Sequence, residues 1–320
     1  MPPRIARSLF ACLAACCCVA CSSGDEQFPS RPIDVITHAS PGGGTDLTAR
    51  SMIAGARESL GVDMAVVFKG GGGGVVAMNF VADRPRDGHM LMAITPTHLF
   101  ALARGQSAIS IDDLVGVARA TEDPLVVTTS ATSGIRSLAD LIALGHRRSI
   151  KWGTGLVGGI DHIAGLALAD AAGTSLSAVP FNGGGEVAAN ILGGNIDAAA
   201  LNLSEALDEI ERGDFRALAV MADQRLSLIP DVPTTVELGY DATFSTVRGY
   251  VVLRGTPEDR IARLEEGLLT GMQHPVFEEY LAGAGLSPAG IAGREVWDAQ
   301  IRELYAQARD AMSALGMLDP

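Results

Sequence analysis

The chain has 320 residues, 48% hydrophobic and 19% charged, a globular balance that excludes bulk disorder and leaves room for two domains. A formal net charge of −13 and only 5% aromatics argue against nucleic-acid binding, which uses basic patches and stacking platforms. An acidic chain can still hold an anion, because local N–H groups and a single arginine decide that rather than the net charge.

The N-terminus reads as an export signal. Arg4 and Arg7 precede a short apolar run over 9–20, a charged region followed by a hydrophobic one that is too short for an ordinary membrane span. All five cysteines, Cys12, Cys16, Cys17, Cys18 and Cys21, lie here. The pattern is similar to a bacterial lipoprotein signal, which ends in a lipid-bearing cysteine. Leu13-Ala14-Ala15-Cys16 fits the residue pattern, whereas Cys21 leaves the more normal signal length and is followed by polar Ser22-Ser23-Gly24-Asp25. Cys21 is the expected lipid site, with Cys16 as the alternative and a plain cleaved signal as the bland reading. Cleavage before Cys21 leaves no cysteine for a disulfide, a thiol nucleophile or a thiolate metal site. The expected division is a signal over 1–20, a tether over 21–31, a first lobe over 32–129, a second over 130–246, and a return to the first over 247–320.

After the tether, an apolar run at 33–36 is followed by Pro41-Gly42-Gly43-Gly44-Thr45-Asp46 and then by Ala49, Ile53, Ala56 and Leu60 at helical spacing. This reads as strand, glycine turn and helix. Thr45 and Asp46 can cap the first turn, and its free N–H groups with the helix dipole suit an anion. Asp46 is read as a cap rather than a ligand contact, since a second negative charge beside an anion is unfavourable. Strand signals recur at Met64–Phe68, before the glycines 70–74, and at Met90–Ile94, before Thr95-Pro96-Thr97. Further strands are expected at 125–129, 150–152, 176–181, 198–201, 215–221 and 247–252. Ser137 to Asp140 resembles a capping box, and helices are expected over Ile160–Ala171 and 186–192, with Ser204 capping one that runs through Arg212. From Pro257 the chain is helical with breaks near Pro275 and Pro288. Strand and helix alternate, which argues for parallel α/β sheets. Glycine or small polar turns follow strands at Gly42, Gly70, Thr95, Gly153, Asn182 and Asn202, where open α/β sheets collect ligands. Such turns in both halves suggest two lobes facing one cleft.

No strong enzyme signature is present. The phosphate-loop pattern is missing, since Lys69 precedes its glycines, and so is the G-x-S-x-G elbow. The six histidines show no metal-ligand spacing. Gly153-Thr154-Gly155-Leu156-Val157-Gly158 matches the dinucleotide fingerprint. The acidic residue the fingerprint wants at the end of the next strand is lacking, because Asp170 falls within the expected helix. No cofactor, metal or catalytic set is expected. Asp161-His162 marks a helix start that caps its turn or contacts a ligand.

Taken together, these residues resemble the Bug-type substrate-binding receptors of tripartite tricarboxylate transporters. Besides the Pro41 turn, continued by Leu47-Thr48-Ala49-Arg50, the matching features are Arg31-Pro32-Ile33, Lys69 with its glycine run, Pro85-Arg86-Asp87-Gly88, Asp161-His162 and Val179-Pro180-Phe181. Gly193-Gly194-Asn195-Ile196-Asp197, Pro230-Asp231-Val232-Pro233-Thr234 and Arg248-Gly249-Tyr250 complete the set. The resemblance implies an α/β, two-lobed periplasmic binding fold of type II, each lobe a mainly parallel sheet flanked by helices. It implies a periplasmic, lipid-anchored monomer that captures a di- or tricarboxylate between the lobes, with backbone N–H groups and water holding it, and delivers it to membrane transporter subunits. Carried over, the first lobe offers Gly43, Gly44, Thr45, Asp46, Gly72, Gly73, Thr95 and Thr97. The second offers Gly155, Gly158, Gly159, His162, Asn182, Gly183, Gly184, Asn202 and Ser204. The chain departs from many relatives at His38, where proline is common, at Thr45, where tricarboxylate-type members often carry an aromatic, and at Lys69, where Asn or Arg is usual. The rival readings are an exported nucleotide-dependent enzyme using Gly153 to Gly158, and a sensor subunit that binds a carboxylate and signals to a membrane kinase.

Overall fold

The computed structural model describes residues 28–318 except Leu156, Asn182 and Leu315. The signal, Cys16 and Cys21 therefore lie outside the described residues, as does the candidate ligand residue Asn182. In chain order the strands are β1 Ile33–Thr37, β2 Met64–Phe68, β3 Met90–Ile94, β4 Leu114–Ser130, β5 Ile150–Thr154, β6 Leu176–Pro180, β7 Ala198–Asn202, β8 Phe215–Val220 and β9 Ser245–Leu253. The α-helices are α1 Gly44–Leu60, α2 Val75–Ala82, α3 Pro96–Ala103, α4 Leu138–Gly145, α5 Ile160–Ala171, α6 Gly184–Leu192, α7 Leu203–Arg212, α8 Glu258–Gly271, α9 Pro275–Gly283 and α10 Arg294–Ala314. No helix among the described residues is long and apolar enough to cross a membrane.

In the first lobe β1 pairs in parallel with β2 and β3, and β9 runs antiparallel between β3 and β4. In the second, β5 pairs in parallel with β6 and β7, while β4 runs antiparallel to β7 and β8. Each sheet is thus a parallel trio extended by antiparallel strands, more mixed than expected, because β4, which belongs to both sheets, runs against its neighbours in each. One face of the first sheet buries Val35, Leu91, Tyr250 and Val252 against Met52, Ala56, Leu264 and Phe277 of α1, α8 and α9. The other buries Ile36, Met92 and Val251 against Met78, Leu99 and Trp297 of α2, α3 and α10. In the second lobe Trp152 and Ala200 pack on Leu141, Ala164 and Leu168.

The largest departure from the sequence reading is β4. A strand was expected only over 125–129; just before it stands Pro124, which lacks the N–H a ladder needs. The observed strand has 17 residues, and the proline sits where it does least harm. Pro124 is opposite Ser245 in the last pair with β9, and from Leu125 the same strand pairs with β7 and β8. The Leu125 N–H donates to the Phe244 carbonyl at 2.9 Å. The change of sheet partner therefore falls at 124–125 and 244–245, whereas the expected boundary at 129–130 lies at the far end of β4. Pro275, expected as a break, opens α9, with His274 Nδ1 accepting the Val276 N–H.

Candidate functional site at the helix N-termini

The turn between β1 and α1 is tied by its own acid. Asp46 Oδ2 accepts the Gly42 N–H at 2.9 Å and Arg50 Nε–H at 2.8 Å. Burial disfavours the Asp46 charge, but the bond from Arg50, the Gly42 amide and the Arg50 charge outweigh it and hold the carboxyl below its usual range. Asp46 therefore closes the turn. The N-cap is Gly43, without a side-chain cap bond, so Thr45 does not cap as expected. The N–H groups of Gly44, Thr45 and Asp46 have no partner among the described residues.

Beside those amides lies Arg248 of β9. A Cβ on Gly44 would stand 2.9 Å from its Nη2 and 3.3 Å from Nε, so only a glycine leaves room for the guanidinium against the helix start. Arg248 Nη1 is 3.4 Å from Asp123 Oδ2, and that oxygen also accepts the Ser204 hydroxyl at 2.8 Å. Ser204 thus bonds across to β4 instead of capping α7, whose N-cap is Asn202 with no side-chain bond. Asp123 is wholly buried and Arg248 is 6% exposed, yet Asp123 Oδ1 and Arg248 Nε have no hydrogen-bond partner among the described residues. Asn202 ties the strands together, donating to the Asp123 carbonyl at 3.1 Å and accepting from Thr246 at 3.2 Å. Thr48 shares a 2.7 Å hydrogen bond with Tyr280.

His38, just after β1, faces the same charge. Burial and then Arg248 lower its pKa to about 4, so it is neutral near pH 7. Its ring meets that of His98 edge-on, centroids 4.3 Å apart. His98 in turn completes the cap of α3, with Nδ1 accepting the Thr95 N–H at 3.1 Å. Thr95 is buried in that cap, and Thr97 is half-buried beside it. Gly72 and Gly73 form a 3-10 turn with φ of +60° and +62° ahead of α2. Gly74, next to them, lies so close to His98 that a Cβ would be 2.4 Å from the ring.

On the second lobe, Asp161 accepts the N–H of Gly155 and that of His162, while His162 Nδ1 accepts the Gly158 N–H at 3.0 Å. The fingerprint loop thus has amides engaged by its own chain, not presented to a pyrophosphate. Gly159 is the N-cap of α5. A Cβ on Gly155 would lie 3.1 Å from Gly183 Cα, so the turns before α5 and α6 touch; one on Gly184 would lie 2.5 Å from Glu205 Oε2. Glu205 is exposed by surface area although protein surrounds it on most sides, the position of a side chain on the wall of an open cleft. The surrounding protein raises its pKa, with Arg248 pulling down, Asp123 and Asp161 pushing up, and the Asn202 amide pulling down. Burial likewise raises Asp161 against the bonds from Gly155, Thr154 and His162. Among the described residues no group of three or more His, Cys, Asp or Glu is arranged to hold a metal ion.

The candidate residues thus stand at the N-termini of helices following β1, β2, β3, β5, β6 and β7. Arg248 stands beside Gly44 and contacts Asp123, which Ser204 bonds in turn, and Glu205 stands beside Gly184. Thr95 and Asn202 are turned to structural partners. Sequence reasoning missed Arg248, Asp123, Glu205, His38 and Tyr280 as site residues. Arg248 had a signal, a lone cation in the apolar run at 247–252.

The family described as tripartite tricarboxylate transporter family receptor matches residues 48–306. The chain belongs to this family. BugT of Bordetella pertussis is 28% identical to the receptor over 304 residues, covering 89% of the chain and 92% of BugT. A TctC solute-binding protein from Polaromonas, solved without ligand, has a TM-score of 0.78 at 26% identity and covers 90% of this chain and 99% of its own. MatC from Rhodopseudomonas palustris, solved with bound malate, has a TM-score of 0.77 at 25% identity over 89% of this chain and 99% of its own. Family and fold are those of solute-binding receptors rather than enzymes.

Proposed function

We propose that the chain is an exported receptor that captures a small organic carboxylate between its lobes and delivers it to a membrane transporter. One observation carries this reading: the unpaired N–H groups of Gly44, Thr45 and Asp46 lie beside the Arg248 guanidinium. A carboxylate there takes charge-assisted bonds from backbone and arginine and sits at the positive end of the α1 dipole. Malate bound to MatC supports the ligand class. Gly43, Gly72, Gly73, Thr97, Gly159, Gly183 and Gly184, at or near the starts of neighbouring helices, are the further candidates for contact with the ligand. Closure is a hinge motion at the two chain crossings, Pro124–Leu125 and Phe244–Ser245. The chain acts in the periplasm, held to the membrane by lipid on Cys21 or, failing that, Cys16.

A thermal-shift screen of organic acids tests the reading. A ligand at a hundred times its Kd stabilises the folded state by about 2.7 kcal/mol, so a binder raises the melting temperature. Well-folded protein that shifts with none of a broad panel of carboxylates contradicts it.

A further inference from the structure

The two walls of the cleft differ in charge. The first lobe presents free amides and Arg248. On the second, acids of the protein itself stand at the turns where a second ligand carboxylate would meet backbone donors. Asp161 holds the Gly155 and His162 amides, and the Glu205 carboxylate stands against Gly184, where a side chain would collide with it. Asp123 lies beneath, against Arg248. Asp123 contacts the Arg248 guanidinium, and Glu205 lies near enough to interact with Arg248, Asp123 and Asp161. Of the other basic groups near these walls, the two histidines have lowered pKa values and add little countercharge at pH 7, while Arg104 adds one. His38 is neutral, the His162 ring accepts from Gly158, and Arg104 rests against Gly158 at the start of α5. The acids are not grouped as metal ligands among the described residues. A separate observation marks the cluster as incomplete: Asp123 Oδ1 and Arg248 Nε, both on side chains with under a tenth of their surface exposed, have no partner among the described residues.

We propose that the ligand is a small monocarboxylate bearing a protonated amine, with its carboxylate at the α1 N-terminus and its ammonium group against Glu205 and Asp161. Glu205 is then the residue that rejects a second carboxylate, since like charges facing each other in a closed cleft disfavour binding while opposite charges favour it. The inference rests on the carboxylate reading above and narrows it away from the di- and tricarboxylates the resemblance implied.

Matched ligands test it by calorimetry on the purified chain at pH 7: 4-aminobutanoate against succinate, 5-aminopentanoate against glutarate, and alanine against propanoate. At least one amino member should bind about tenfold or more tightly than its partner. In Glu205→Gln, an isosteric change on an exposed side chain, that ratio should fall at least about fivefold. Tighter binding of the dicarboxylates, or an unchanged ratio in Glu205→Gln, overturns the inference and leaves the receptor reading intact. Binding of no member overturns the inference, and the broad carboxylate screen decides the receptor reading separately. If Glu205→Gln does not fold, the wild-type ratios alone decide, an amino preference supporting the inference and its absence overturning it.

Discussion

Gly44→Ala separates ligand binding from stability more cleanly than removal of Arg248, which would leave Asp123 buried and uncompensated at a cost of roughly 3–5 kcal/mol. The new Cβ would lie 2.9 Å from Arg248 Nη2 and 3.3 Å from Cζ, so the guanidinium must move by several tenths of an ångström. The residue opens a helix and its φ is not in the left-handed region, so alanine fits the backbone. Its helix propensity is worth up to about 1 kcal/mol, which offsets part of the displacement. The net change in stability should stay within about 1 kcal/mol. Affinity should suffer more. Loss of one hydrogen bond to a charged group costs about 1.5–3 kcal/mol, roughly a ten- to 150-fold rise in Kd. Titration calorimetry with the best carboxylate from the screen, beside thermal denaturation of both proteins, reads the two effects separately. A Kd within about twofold of wild type would refute a carboxylate seated between α1 and Arg248.

Other outcomes follow from the same geometry. His38 has its pKa lowered from 6.5 to about 4 in the folded protein, so between those values the unfolded chain binds more protons and stability falls as pH drops. The full effect is at most about 3 kcal/mol, and His38→Asn should flatten urea-unfolding free energies between pH 6.5 and 4; an unchanged slope would exclude His38 as the cause. Asp46→Ala removes the bonds to Gly42 and Arg50 and should cost about 1 kcal/mol, typical of a lost helix cap, in chemical denaturation. Its depressed pKa makes that contribution present above the unfolded value and lost as pH falls through the folded one, so wild type and variant should converge in acid. Cys21→Ala should release the exported protein from the membrane fraction and abolish the lipid mass; lipid retained in that variant would move the anchor to Cys16.

The placement of the strands and of the turns after them was legible because it depends on local pattern. Apolar runs of strand length end in glycines, and helical spacing follows, so Gly43 to Asp46, Gly155 to Gly159 and Gly183 to Gly184 all sit at helix starts. What those turns do was less legible, because it depends on partners far along the chain. Ser204 reads locally as a cap, but its hydroxyl goes to Asp123, 81 residues away. Arg248 meets the same carboxylate 125 residues away. Glycine turns looked like free donors on both lobes, yet on the second the neighbouring Asp161 and His162 occupy the amides of Gly155 and Gly158. Only the part of β4 from 125 to 129 was read as strand; a proline such as Pro124 that marks a change of partner looks the same in sequence as one that ends a strand.

The most direct test of the central claim is a crystal structure of the protein with its bound carboxylate. The account predicts a carboxylate oxygen within hydrogen-bond distance of the Gly44 to Asp46 amides and a second contact to Arg248. A ligand seated instead in the groove of about 990 Å³ lined by Pro124, Phe244, Leu286 and Gln300, with the α1 amides and Arg248 untouched, would contradict it.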